Sequence, residues 1–457
     1  MRYIAGVIKG VHRLRLDALD DEGAGEGTPG DVDPPVRLRV PFALPGEEVV
    51  AAVEHASPHR PVAWGRLVEL LAPSPSRVAP ACAAWGRCGG CVVQHLAYDE
   101  QLAWKRSLVE AALRHAGLDG AVEPCVPSPS VLGYRDNAKL VFARDGERVI
   151  LGAYAPRSHD VVDLAGCAVV AEPLDAVARA IARLATELGV RPYDERTGEG
   201  DARYALLRAT RDRSTQVTLV VARRGVAAIA ELARALRRER PEVRGVVENL
   251  QPARTNALVG RTEPDRLLDG DPVLEERLGV RLRLSPRSFF QANHAVAERL
   301  YADAAAALAL APAEVALDLY CGVGGIALAA AAAAPAARVI GVEAAPEAVE
   351  DARAAAALNG IANARFVCAE AAVAIAELQE RVAAAAVDPP RRGLDRPVLD
   401  ELTRLAPRNL VYVSCNPTTL ARDLATLSAH YRITRVTPYD MLPHTPHVET
   451  LTTLIHR

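Results

Sequence analysis

From about residue 286 onward, apolar strand-like runs alternate with helical stretches, and this alternation constrains the chain more than any other feature. Successive βαβ units bury both faces of a sheet only when its strands run parallel, so the C-terminal part reads as doubly wound α/β. Val315-Ala316-Leu317-Asp318-Leu319-Tyr320 is an apolar strand, and Cys321-Gly322-Val323-Gly324-Gly325-Ile326 follows it and opens a helix over 327–334. Glycines at such a turn let the backbone approach a nucleotide-like group. A G-x-G-G turn is weak by itself. Its weight rises because Val339-Ile340-Gly341-Val342-Glu343 is a second strand ending in an acid about 20 residues on, suited to ribose hydroxyls. NAD and S-adenosylmethionine both fit; the turn is not a full G-x-G-x-x-G and nothing else suggests hydride chemistry, which favours S-adenosylmethionine.

Three later stretches carry chemistry. Ala386-Val387-Asp388-Pro389-Pro390-Arg391 is another strand end, whose Asp388 can reach a cofactor adenine, an amino group or a target base. In Leu410-Val411-Tyr412-Val413-Ser414-Cys415-Asn416-Pro417 a buried strand is broken by Pro417, which lacks an N–H and pushes Asn416 out of helical space. Thr418 or Thr419 can cap the next helix. A lone cysteine is usually a small buried hydrophobe. Cys415, however, precedes a turn at the carboxyl end of a strand, where open α/β sheets bind ligands. Glu449 leads into a final apolar strand over 450–455 and is a candidate general base. A proline between His444 and His447 argues against helical metal ligation, so both read as satisfied loop histidines.

Upstream, strand-like runs at 36–40, 48–53 and 62–71, with a Gly/Asp-rich loop over 20–33, suggest a small OB-type barrel in residues 1–75. Cys82-x5-Cys88-Gly89-Gly90-Cys91 then packs three thiols into ten positions, a strong metal signal. Cys125 and Cys167 are the candidates for a fourth ligand, and all-thiolate ligation suits zinc or an iron–sulfur cluster. A helix is predicted over 99–116, a linker over 124–130, then mixed strands (140–142, 217–221) and a helix (229–240) up to about 285.

The length of 457 residues allows two to four domains. A net charge of −3 counts against a nucleic-acid binder, but residues 203–244 hold eleven Arg against four acids, 11 − 4 = +7, and that run could neutralise phosphates. The alanine run at 329–337 is too short and too weakly apolar to span a membrane. Met1-Arg2-Tyr3-Ile4 does not resemble a signal peptide, and eight scattered cysteines are not a secreted disulfide framework. The expectation is a cytoplasmic monomer without membrane contact.

Together these motifs resemble the S-adenosylmethionine-dependent RNA 5-methyluridine methyltransferases, most closely the iron–sulfur branch acting on 23S ribosomal RNA. The likeness rests on the cysteine set, Ser288-Phe289-Phe290-Gln291-Ala292-Asn293, the Asp318–Gly325 loop, Asp388-Pro389-Pro390-Arg391, Ser414-Cys415-Asn416-Pro417 and His447-Val448-Glu449. It implies a TRAM-like barrel at 1–75, a central α+β domain bearing a 4Fe-4S cluster and binding RNA at 76–285, and a Rossmann-like methyltransferase at 286–457. It implies Cys82, Cys88, Cys91 and Cys167 as cluster ligands, favouring Cys167 over Cys125. It further implies Gln291, Tyr320, Glu343 and Asp388 as cofactor-binding, Cys415 as nucleophile and Glu449 as base. Gly325 stands where some members carry Asn, and Leu442 replaces a common Phe. The partner expected is RNA, 23S ribosomal RNA ahead of a tRNA T-loop uridine; a non-catalytic iron–sulfur RNA-binding protein is the alternative from another class.

Overall fold

The computed structural model describes residues 8–255 and 257–457; the stretch Met1-Arg2-Tyr3-Ile4 discussed above lies outside them. Six strands open the chain: β1 (Val11–Arg15), β2 (Ala18–Leu19), β3 (Gly25–Gly27), β4 (Arg37–Val40), β5 (Glu48–Ala56) and β6 (Val62–Ala72). They form one sheet in the order β1-β5-β6-β4-β3-β2, packed on Leu14, Leu38, Val40, Val49 and Ala51. The segment 20–33, expected as a loop, contributes β3 to this sheet. Its glycines are steric: a Cβ at Gly25 would lie 2.6 Å from the Ala43 carbonyl oxygen, and one at Gly27 2.3 Å from that of Arg15.

Helix α1 (Tyr98–His115) follows, and then a second sheet. Its strands are β7 (Asn137–Asp145), β8 (Arg148–Tyr154), β9 (Val161–Asp163), β10 (Ala202–Ala209), β11 (Thr215–Val221), β12 (Val243–Leu250) and β13 (Arg266–Gly270), in the order β13-β12-β11-β10-β7-β8-β9. Helices α2 (Glu172–Glu187) and α3 (Ala227–Glu239) cover it through Leu174, Ile181, Ile229 and Leu236. A hairpin, β14 (Leu274–Leu278) and β15 (Val280–Leu284), leads to the C-terminal part and shares its core.

That part runs α4 (His294–Leu308), β16 (Val315–Leu319), α5 (Gly325–Ala333), β17 (Arg338–Glu343), α6 (Pro346–Leu358), β18 (Ala364–Cys368), α7 (Ala371–Ala376), β19 (Ala384–Val387), α8 (Arg396–Leu405), β20 (Asn409–Ser414), α9 (Pro417–Leu427), β21 (Tyr431–Tyr439) and β22 (Glu449–His456). The sheet order is β18-β17-β16-β19-β20-β22-β21. β18, β17, β16, β19 and β20 pair in parallel, while β22 is antiparallel to both its neighbours. Order reverses between β16 and β19, so a ligand crevice is expected above their carboxyl ends. Strand side chains such as Leu317, Leu319, Val411 and Val413 are almost wholly buried, each contributing about 1.5–3 kcal/mol of hydrophobic stabilisation.

Two expectations change here. The supposed linker at 124–130 joins the edge of this sheet: Glu123 N–H donates to the Val436 carbonyl (2.9 Å), Val126 N–H to Pro438 (2.8 Å), and Asp440 N–H to Val126 (2.9 Å). With α1, whose Val109 and Leu113 enter the same core, this segment packs on the C-terminal sheet although it lies early in the chain. The arginine run is not a free basic surface either. All its members but Arg208 and Arg244 have a carboxylate partner, for example Arg203–Glu195, Arg211–Glu298, Arg223–Asp201 and Arg237–Asp269. Arg208 is buried and donates to the carbonyls of Ser285 and Ser288. Charge counted along the sequence ignored the acids that folding brings to these side chains.

Candidate active site

The crevice is built from strand ends. β20 pairs antiparallel with β22 so that Ser414 faces Thr450. Cys415 and Glu449 adjoin that last pair, one on each strand, and Glu449 is close enough to raise the Cys415 thiol. On the other side β19 runs parallel to β20 with Val387 beside Tyr412, and the next residue is Asp388, whose N–H donates to the Leu319 carbonyl at 3.2 Å. Asp318 and Tyr320 come from the end of β16, and Glu343 from the end of β17.

Beyond Cys415 the backbone turns into α9. Asn416, not Thr418 or Thr419, caps that helix: its Oδ1 accepts from Thr418 N–H at 3.0 Å, with Pro417 in the first turn. Asparagine is as good a cap as threonine, and proline fits the first turn because its missing N–H has no partner to lose there. Asn416 also donates through Nδ2 to the Arg391 carbonyl (3.1 Å), tying the cysteine turn to the Pro-Pro-Arg turn.

The glycine turn is braced by Glu343, whose Oε2 accepts from Gly322 N–H (3.1 Å) and Oε1 from Ala345 N–H (2.8 Å). Tyr320 (φ 61°) lies in the left-handed region, which a non-glycine residue occupies only where its surroundings impose it. Space beside Gly322 is open, whereas a Cβ on Gly325 would lie 2.6 Å from the Tyr301 ring. Gln291 follows the turn at 285–288, which is clamped from two sides. Buried Asp351 accepts from Ser285 N–H (2.7 Å), Ser285 Oγ (2.7 Å) and Ser288 Oγ (2.6 Å), and Arg208 holds the carbonyls. Phe289, two residues before Gln291, is 74% exposed, whereas Phe290 is buried.

Acid groups dominate the electrostatics. Burial, reinforced by Asp388, holds the Glu449 carboxyl well above the usual range, while Arg391 opposes the shift. Burial raises Asp388 to about 7. Asp318 is pushed well up by burial and by Asp388, and neither of its carboxyl oxygens has a hydrogen-bond partner. The Cys415 thiol is raised to about 11 by burial first, then by Glu449 and Asp388, with Arg391 pulling the other way. Asp318, buried without a hydrogen-bond partner and close to Asp388, suits a cation, and a thiol near a carboxyl can add to a ring carbon while the carboxylate removes a proton.

A family model described as tRNA (Uracil-5-)-methyltransferase matches residues 240–457. An RNA methyltransferase of Geobacter sulfurreducens is 37% identical over 97% of this chain and 90% of its own length. One from Listeria innocua is 34% identical over 96% of both. The crystal structure of Pyrococcus abyssi tRNA (uracil-54, C5)-methyltransferase in complex with S-adenosyl-L-homocysteine matches with a TM-score of 0.77 and 27% identity, covering 97% of this chain and all of that one. The chain belongs to the RNA (uracil-5-)-methyltransferase family.

It is thus an S-adenosylmethionine-dependent enzyme acting on RNA. The crevice fits that cofactor, because Asp318, buried without a hydrogen-bond partner, and Asp388 close to it match a cationic sulfonium and ammonium, and the open space at Gly322 leaves room for backbone contact. None of the described helices is long and apolar enough to cross a membrane.

The four cysteines expected to bind a cluster also come together. Cys82, Cys88, Cys91 and Cys167 line one cavity of about 140 Å³, with Arg135 and Lys139 in its wall. Cys125 is elsewhere, buried beside Lys105 and Asp440. Gly90 N–H donates to Cys88 Sγ at 3.4 Å. Burial, then the neighbouring thiols Cys167, Cys88 and Cys82, push Cys91 up to about 12. Among the described residues, no group of three or more His, Cys, Asp or Glu is drawn tight enough to hold a single ion. A cluster, which sits between its ligands, keeps their sulfurs further apart than an ion does.

Sequence reasoning missed Arg391 and Asp318 as members of the site. Both adjoin residues that were singled out, and an arginine after Asp388-Pro389-Pro390 was the available signal. His444, read as satisfied, is only half so: its Nε2 is buried without a partner.

Proposed function

We propose that the protein methylates C5 of a uridine in RNA through a covalent bond between Cys415 Sγ and C6 of the ring. The last pair of the β20–β22 ladder, Ser414 with Thr450, which brings the adjoining Cys415 and Glu449 close together at the carboxyl end of β20, carries this reading. C5 of uracil is a poor nucleophile. Addition of the Cys415 thiolate at C6 converts the ring to an enolate with electron density on C5, splitting one hard step into easier ones. S-adenosylmethionine supplies an electrophilic methyl group. Glu449 then takes the C5 proton and Cys415 leaves. Gln291, Tyr320, Glu343 and Asp388 hold the cofactor, and Arg391 favours the thiolate and carboxylate forms of its neighbours. The target base must leave its stack to reach this crevice, which favours single-stranded loops.

Cys82, Cys88, Cys91 and Cys167 hold a 4Fe-4S cluster in this reading; the shared cavity and the cationic Arg135 and Lys139 support it. Burial and the neighbouring thiols make Cys88 and Cys91 resist ionisation unless iron compensates their charge. We assign residues 1–75 to a TRAM-like barrel, 76–285 to the cluster-bearing part and 286–457 to the methyltransferase, noting that α1 and β14–β15 pack on the last. The cysteine set favours 23S ribosomal RNA as substrate. The similarity to a tRNA (uracil-54, C5)-methyltransferase favours a T-loop uridine instead. Mapping 5-methyluridine in ribosomal and transfer RNA from a deletion strain decides between them.

An RNA carrying 5-fluorouridine tests the chemistry, since fluorine at C5 cannot leave as a proton and the adduct persists. The wild type is expected to form a denaturation-resistant protein–RNA band, and Cys415→Ala neither the band nor methylated product. Full methyl transfer by Cys415→Ala rejects the mechanism.

A further inference from the structure

The segment 440–448, which delivers Glu449 to the crevice, hangs from the cysteine-bearing part of the chain. Val92 and Val93 directly follow Cys91, and their N–H groups both donate to the His444 carbonyl, at 3.0 and 3.2 Å. Gln101 of α1 clasps the same residue: Oε1 accepts from His444 N–H (2.9 Å) and Nε2 meets His444 Nδ1 (3.1 Å). An amide nitrogen can only donate, so Nδ1 is the acceptor and the ring proton sits on Nε2. Gln101 Nε2 also donates to the Leu96 carbonyl (2.7 Å). Lys105, fully buried, pairs with Asp440 and donates to the Leu442 carbonyl (2.9 Å). Tyr134 OH, next to the cavity residue Arg135, donates to the Pro443 carbonyl (3.0 Å). His444 itself sits at φ 68°, a conformation it keeps only while these partners hold it.

We propose that the cysteine loop is a positioning device for Glu449. Ligation at the four cysteines fixes Val92 and Val93, these and Gln101 fix His444, and the loop then presents the carboxylate to C5. The inference rests on the reading above of Glu449 as base and of the cysteines as cluster ligands. The step it controls is the last one. Glu449 takes the C5 proton, the C5–H electron pair becomes the C5=C6 bond, the C6–Sγ bond breaks, and Cys415 departs as thiolate. Thiol addition and methyl transfer come earlier and do not need Glu449. A loosened loop therefore stalls the enzyme with methylated RNA still attached.

Gln101→Ala tests this with labelled S-adenosylmethionine and unmodified RNA. It is expected to keep its iron and its cofactor affinity, to turn over about a hundredfold more slowly, and to accumulate a labelled covalent protein–RNA adduct. Equal loss of adduct formation and turnover overturns the proposal. Glu449→Gln run beside it separates the claims: if that variant traps adduct and Gln101→Ala does not, this inference falls and the mechanism stands; if neither traps it, both fall. Hydrogen exchange on the wild-type chain, before and after removal of iron by a chelator, is the second test. Exchange over 440–448 is expected to rise while β16 stays unchanged. Equal exchange in both states, or a rise that includes β16, overturns the proposal. A protein that purifies without iron and still protects 440–448 overturns it too, and removes the cluster reading as well.

Discussion

Burial shifts Cys415, Glu449 and Asp388 toward their uncharged forms. A carboxyl with a pKa near 7 holds a proton that the unfolded chain has lost from about pH 4 upward. Between those values the folded protein binds more protons than the unfolded one, so the contribution of Asp388 to stability is fully present below about pH 4 and is lost as pH rises through 7. Stability of the cofactor-free protein is expected to decline over that window, and Asp388→Asn to flatten the decline, as urea titrations at several pH values will measure. Activity has the opposite slope. In the proposed mechanism Glu449 must be ionised to take a proton and Cys415 to attack, and burial raises both, so kcat/KM should climb through the neutral range. A profile flat from pH 6 to 9 would contradict these roles.

Among the elements, the contact of the glycine turn with α4 is the most constrained. Gly325 opens α5 against the Tyr301 ring, so an asparagine at this position has no room in this chain. Gly325→Asn alone is expected to lower the unfolding free energy by about 1–3 kcal/mol through overpacking. The double variant Gly325→Asn/Tyr301→Ala should cost less than the sum of its parts, because the smaller side chain yields the space the new one needs. Simple additivity in a denaturant-based cycle would mean the two residues do not compete. The same packing explains how the family pattern accommodates a glycine here: Tyr301 fills what a longer side chain would occupy.

At the scale of the molecule, the cysteine cavity joins regions far apart in sequence. Cys82, Cys88 and Cys91 belong to one loop and Cys167 to another, beyond β9, yet all four face one space. Under the proposed cluster assignment, Cys167→Ser is expected to lose most of the iron and its visible absorbance, while Cys125→Ser keeps both, since Cys125 lies against Lys105 and Asp440 instead. Iron retained by Cys167→Ser and lost by Cys125→Ser would reverse the assignment. The RNA surface is the other question of this scale. With the arginine run neutralised by Glu195, Glu298, Asp201, Asp269 and others, exposed groups at the crevice rim such as Phe289 and Arg391 are the better candidates for RNA contact.

Local pattern determined the C-terminal sheet. Strands of alternating βα units and glycine or proline breaks are governed by near neighbours, so Tyr320, Glu343, Asp388 and Cys415 could each be put at a strand end from sequence alone. The crowding of Cys82, Cys88 and Cys91 was legible for the same reason. Tertiary structure decided what depends on distant partners. It chose Asn416 over the threonines as cap, turned 124–130 from a linker into a sheet edge, and consumed the arginine run in ion pairs. It brought Cys167 to the other three thiols and hung the Glu449 loop from Val92, Val93 and Gln101. Hydrogen bonds and charges act over a few ångströms of space whatever their separation along the chain, and a linear pattern holds no record of which distant residues the fold will bring that close.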